Sequence, residues 1–190
     1  MKQRTIKENI KLKGGPEKIK GGPRNEIYFI LDNIKSMLNV GAIFRTADAL
    51  RVKKIYLCGI TATPPRRKIF KTSMGAVEWV DWEYCETTLE AVAKLKKEDV
   101  QIVALEQTNK SINYKKASYK KPLAIVLGHE KNGVSDEVLK ISDIAVEIPM
   151  YGKANSLNVA TSAGIIGYEV LSVVARVGFE PTRRLHANEF

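Results

Sequence analysis

Short apolar runs recur along the chain at Ile27–Leu31, Ile55–Cys58, Gln101–Leu105, Leu123–Leu127 and Ile144–Ile148. Each is too short for a helix and has the length of a strand. Leu123–Leu127 has no polar member, as in strands covered on both faces of a parallel sheet. Trp79, Trp82 and Tyr84 surround one further strand. Between these runs the period changes. Val40, Ile43, Phe44 and Ala47 fall on one face of a helix spanning Asn39 to Leu50, and Arg45 and Asp48 leave that face. Thr88 to Lys97 reads as a second helix, capped by Thr87 or Thr88, with lysines in its last turn. Ser135 caps a short third helix that carries Asp136 and Glu137 in its first turn. Leu157 to about Arg176 is apolar or small almost all round, so this helix is expected to be buried on more than one side. Ser156 stands at its N-cap position. Strands alternating with helices at this spacing predict an α/β fold: a mostly parallel open sheet with helices on both faces.

The polar segments add an organisation. Residues 1–25 hold eight Lys or Arg against two Glu, a net charge of +6, and repeat the tetrapeptide Lys-Gly-Gly-Pro. Gly and Pro at that density argue against a helix or packed strand and predict a flexible basic arm. Residues 26–176 form the domain. Residues 177–190 break the pattern and are expected to be an unstructured tail. One reverse translation of Gly178 to Thr182 matches the complement of a tRNA T-arm, so this tail is expected to be read-through into a tRNA gene. Residues 61–75 read as a long connection. Its Arg66, Arg67, Lys68 and Lys71 are candidates for RNA contact, because a loop this basic between core strands is more often functional than filler.

Composition narrows the partners. The 190-residue chain carries a net charge of +10, which suggests a polyanion. No apolar run can span a membrane, and Met1 to Lys7 lacks the apolar core of a secretory signal. Cys58 and Cys85 are isolated, and His129 and His186 are the only histidines, so a metal site is not expected. Reduced cytoplasmic thiols are the default.

In such sheets, ligands sit beyond the carboxyl ends of the strands. The loops after Leu31, Leu105, Leu127 and Ile148 all lie there. Three stretches stand out: Asn39-x-Gly-Ala-Ile-Phe-Arg45, Leu127-Gly-His-Glu-Lys-Asn-Gly-Val-Ser135, and Ile148-Pro-Met-x-Gly followed by Ser156-Leu-Asn-Val159. In this order and spacing they resemble the motifs of the SpoU/TrmH family of RNA ribose methyltransferases, within the SPOUT class, over about residues 26–175. The resemblance implies a C-terminal trefoil knot, an S-adenosylmethionine donor, a homodimer and methyl transfer to a ribose 2′-hydroxyl. It makes tRNA the first expected substrate and rRNA the second. It also implies a catalytic set of Arg45, Asn39, Glu130, Ser156 and Asn158. A donor slot would be formed by Leu105, Gly128, Ile148, Met150 and Leu157, with Gly128 letting the backbone approach the donor.

The residue chemistry bears on these roles. A guanidinium is effectively always protonated, so stabilising a developing alkoxide or gripping a phosphate suits Arg45 better than base catalysis. Glu130 is open between direct chemistry and a hydrogen bond to loop amides. His129 reads as structural. A P-loop fails, because Val134-Ser135 replaces the Lys-Ser/Thr that must follow Gly128-x-x-x-x-Gly133. A non-catalytic RNA-binding module and a base methyltransferase of the same fold stand as alternatives.

Overall fold

The computed structural model describes residues 3–13 and 22–176. Seven strands form one sheet: β1 (Asn25–Asp32), β2 (Val52–Cys58), β3 (Trp82–Cys85), β4 (Gln101–Leu105), β5 (Ile112–Asn113), β6 (Leu123–Leu127) and β7 (Ile144–Glu147). Their order is β3-β2-β1-β6-β4-β7-β5, and the ladders are parallel throughout. Among the described residues the helices are α1 (Ile6–Leu12), α2 (Met37–Ala49), α3 (Arg67–Ser73), α4 (Thr88–Lys96), α5 (Asp136–Ile141) and α6 (Val159–Arg176), with a short 3-10 turn at Ala76–Glu78.

Alternation along β1 shows how the sheet is covered. Side chains of successive strand residues point to opposite faces. Ile27, Phe29 and Leu31 join a core with Val40, Ile43 and Phe44 of α2 and Ala163, Ile166 and Val170 of α6. Tyr28 and Ile30 join the opposite core with Ala91, Val92 and Leu95 of α4 and Val138 of α5. Both faces are therefore closed, and the ligand-binding surface is left to the carboxyl edge. Cys58 and Cys85 pair in register across β2 and β3 as free, buried thiols. Burial, with the neighbouring Cys85, pushes the Cys58 thiol up to about 12 and leaves it inert at neutral pH.

Two short helices depart from the sequence reading. The basic arm contains α1, whose Thr5 hydroxyl accepts from the Glu8 amide while the Glu8 carboxylate accepts from the Thr5 amide. Every Gly and Pro of the arm lies after Lys13, so averaging over 25 residues concealed a capped helix ahead of them. Arg24 is also integrated, donating to the backbone carbonyls of Val52 and Trp79. Residues 14–21 and the tail 177–190 lie outside the described residues.

The long connection contains α3, which is too short to show a period. It docks on α2 at Gly41, where a Cβ would stand 2.0 Å from Thr72 Oγ1 and 2.4 Å from the Ile69 carbonyl oxygen. The Thr72 hydroxyl donates to the Leu38 carbonyl across the same contact. Gly41→Val should lower stability by about 1–3 kcal/mol through overpacking, read as a fall in the denaturant midpoint at unchanged slope.

The last helix is buried on one side only. Gly167 meets Leu50 so closely that a Cβ would lie 2.4 Å from Leu50 Cδ1. Open space lies over Gly164, and Tyr168 is 57% exposed.

Candidate active site

The ends of β4, β6 and β7 bound a slot of about 450 Å³. Leu105, Gly128, Ile148, Met150 and Leu157 all line it, together with Glu130, Ser156 and Asn158. The apolar members form its walls, and the polar ones stand at its rim. Among the described residues there is no cluster of side chains able to hold a metal ion.

At the rim, one hydrogen-bonded chain joins the three motif stretches. Glu130 Oε1 accepts from the Ser36 amide (2.9 Å) and from Asn39 Nδ2 (2.9 Å), and Oε2 accepts from the Lys35 amide (3.1 Å). Asn39 Oδ1 accepts from Asn158 Nδ2 (3.0 Å). Asn158 Oδ1 in turn accepts from the amides of Ala160 and Thr161. Asn158 is thus the N-cap of α6, and the expected cap at Ser156 is displaced by two residues. Each amide in this chain has one consistent orientation, because a carboxylate fixes one end and helix amides fix the other.

Glu130 holds the start of α2 much as an anion holds a helix N-terminus. Burial raises its carboxyl, but the bonds from the Asn39 side chain and from the amides of Ser36, Glu130 and Lys35 outweigh this and hold it below the usual carboxylate range. A lowered folded-state pKa contributes stability that is present above the unfolded value of 4.5 and lost as pH falls through the folded one. The melting temperature should therefore fall more steeply below pH 4.5 in the wild type than in Glu130→Gln. Parallel acid limbs in the two proteins would dissociate the carboxylate from this role.

The loop between β6 and α5 is braced from three sides. A Cβ on Gly128 would lie 2.2 Å from the Gly133 carbonyl carbon and the Val134 nitrogen, so Gly128 is required first for closing the loop on itself. Glu106 Oε2 accepts from the Val134 amide at 2.8 Å. Asp32, 1% exposed, accepts from the Thr88 hydroxyl (2.6 Å) and from both the amide and the hydroxyl of Ser135. The Ser135 hydroxyl is thereby engaged with Asp32 and makes no cap bond to α5. His129 Nδ1 accepts from the amides of Lys131 and Asn132, so the ring braces the turn. Gln107 Nε2 donates to the Asn155 carbonyl and ties the β4 end to the loop before α6. Asp32, Glu106 and Gln107 were missed in the sequence. Their signal was position alone, since each stands at or just after the carboxyl end of a strand.

Arg45 does not line this slot. It is exposed, in a groove formed with Ala42, Ala49, Lys71, Gly164 and Tyr168. It lies six residues after Asn39 on α2, about 9 Å further along the helix axis. The basic residues of the connection diverge as well. Arg66, Arg67, Lys68 and Lys71 are all exposed, but Lys71 joins the Arg45 groove while Arg66 lines a separate cleft beside β3.

The sequence profile of the SpoU rRNA Methylase family matches residues 26–168. A tRNA (guanosine(18)-2′-O)-methyltransferase of Aquifex aeolicus is 37% identical over 147 residues, covering 77% of this chain and 69% of that protein. The crystal structure of the A. aeolicus TrmH/SpoU tRNA modifying enzyme superposes with a TM-score of 0.77 at 30% identity, covering 91% of this chain and 86% of that one. The AdoMet-bound rRNA methyltransferase from Sinorhizobium meliloti superposes with a TM-score of 0.73 at 30% identity, covering 80% of this chain and 58% of that one.

Proposed function

The chain belongs to the SpoU rRNA Methylase family and is by that membership an RNA methyltransferase; on that premise we propose that it methylates a ribose 2′-hydroxyl of tRNA with S-adenosylmethionine as donor. The observation that carries this is the hydrogen-bonded chain Glu130–Asn39–Asn158 at the rim of the slot, which unites the three motif stretches. The A. aeolicus relative, named for guanosine 18 of tRNA, makes tRNA the first substrate to try.

The slot fits the donor in kind. Leu105, Ile148, Met150 and Leu157 offer apolar walls for a flat adenine, and the loop around Gly128 offers backbone groups for polar ones. S-adenosylmethionine supplies a methyl group already activated by its sulfonium. The residues of this chain have the remaining tasks. Asn39, Glu130, Ser156 and Asn158 fix the rim where the ribose would approach. In the transfer a bond from O2′ to the methyl carbon would form as the carbon–sulfur bond breaks, leaving a neutral thioether, and the O2′ proton would pass to solvent. Arg45 stabilises the developing charge on O2′ and holds an adjacent phosphate.

Arg45 reaches a slot only from a second copy in this proposal. Its separation from its own slot supports a homodimer with a shared site, and the open face around Gly164 and Tyr168 is a surface such a copy could cover. The C-terminal trefoil knot and a cytoplasmic location belong to the same proposal. No helix among the described residues is long and apolar enough to cross a membrane.

Calorimetry with S-adenosylmethionine, followed by tritium transfer to total tRNA and to rRNA, tests the reading. Donor binding with label in tRNA is expected. Binding without transfer to any RNA would favour the non-catalytic module, and a folded sample that binds no donor would end the proposal.

A further inference from the structure

A second cleft, of about 490 Å³, opens beside the site at the carboxyl edge of the sheet. Its wall is Tyr84 of β3, 48% exposed and held in place by a hydrogen bond from its hydroxyl to the Gly59 carbonyl (3.2 Å). The half-buried Trp82 packs into the core beneath, and Ile60, 64% exposed, faces the same space. Two cations, Lys35 and Arg66, are among the residues that line it, and no acidic residue contributes. Neither cation has an ion pair among the described residues.

An exposed aromatic that is fixed in orientation, beside unpaired cations and free of carboxylates, is the chemistry that binds single-stranded nucleic acid. Bases stack on the ring, and phosphates meet the cations. The volume is in the range of sites that hold a small organic molecule. Lys35 links the cleft to the rim described above, since it lines the cleft while its amide donates to Glu130 Oε2.

We infer that this cleft holds an unpaired nucleotide of the RNA flanking the methylated one, its base against Tyr84 and its phosphate between Lys35 and Arg66. The inference rests on the RNA methyltransferase reading and adds to it a requirement for a splayed, single-stranded neighbour. A duplex could not present one base to the Tyr84 ring without unstacking it.

The test uses the full chain and two probes: a short single-stranded RNA carrying 2-aminopurine, and total tRNA as methyl acceptor. Wild type should quench the 2-aminopurine emission. Tyr84→Ala should lose the quench, weaken oligonucleotide binding about tenfold, in the range of one lost stacking contact, and raise KM for tRNA with kcat unchanged. Tyr84→Phe should keep the quench, since the ring remains, with an affinity between those of wild type and Tyr84→Ala, since the hydroxyl tether to Gly59 is lost. Arg66→Ala should reduce the salt slope of binding by about 0.7, the loss of one phosphate contact on a single strand. Melting curves and donor calorimetry confirm that each variant is folded. The inference is overturned if Tyr84→Ala keeps the wild-type quench and KM, or if it changes only the molecular mass in gel filtration, which would make the cleft a contact between copies. If wild type methylates no RNA but shows the Tyr84-dependent quench, the failure belongs to the catalytic reading and the cleft stands.

Discussion

Replacing Arg45 with alanine is expected to lower methyl transfer about 10²- to 10³-fold, the usual loss for a group that stabilises charge developing in the transition state. Donor affinity should be unchanged, because Arg45 is absent from the slot of its own chain and in the proposed shared site meets O2′ and a phosphate of the RNA, not the donor. Equilibrium calorimetry and single-turnover transfer separate the two quantities. The same variant examines the shared site. Take as partner Met150→Trp, which fills the slot, after calorimetry has shown that it binds no donor. Each homodimer should be inactive. In a mixed dimer, one of the two sites combines an intact Arg45 from one chain with an intact slot from the other. Random mixing makes about half of the dimers mixed, so about a quarter of wild-type activity should return if the sites are independent. If Arg45 served its own chain, no mixed site would be complete and activity would stay at background, given gel filtration showing that the variants dimerise and exchange.

Gly128→Ala is the second large effect. The added carbon would overlap Gly133 and Val134 at 2.2 Å, and both contacts are backbone, which cannot swing aside as a side chain can. The loop has little room to yield. Glu106 holds the Val134 amide, and Asp32 holds Ser135 from beneath. Overpacking of this kind costs about 1–3 kcal/mol, and here the strain falls on a wall of the slot. Donor affinity should drop about 10- to 100-fold, with a smaller fall in global stability. Calorimetry checks the first and thermal melting the second. Wild-type donor affinity in the variant would mean that the loop opens freely and does not shape the slot.

The elements legible in the sequence were those whose pattern was set by local burial. Gln101–Leu105 and Leu123–Leu127 occupy the residues expected of them, because both strands are interior and their ends are marked by polar or turn residues. β2 begins at Val52, earlier than its apolar run, since a ladder to β1 extends through the exposed Lys53 that composition alone excludes. α1 and α3 were missed for want of length, as seven residues give two turns and no measurable period. Gly128, Ile148, Met150 and Leu157 were picked out through the ordered motifs and Leu105 through the end of its strand, and these five residues line one slot, whose occupation by the donor is the proposal. The cap of α6 was not legible. Ser156 and Asn158 are both good caps, and the bond that Asn158 donates to Asn39, 119 residues away in the chain, accompanies the choice of Asn158. Asp32 and Ser135 are likewise 103 residues apart, and no local pattern announces such a pair.

The most direct measurement is the nucleoside composition of the product. Total tRNA and rRNA, incubated with the purified chain and S-adenosylmethionine, are digested to nucleosides and resolved by mass spectrometry. The expected result is a ribose-methylated nucleoside from tRNA, with the added mass on the sugar fragment, formed about 10²- to 10³-fold more slowly when Arg45→Ala replaces the wild type. A methyl group on the base fragment, or no methylated product from a chain that binds the donor, would contradict it.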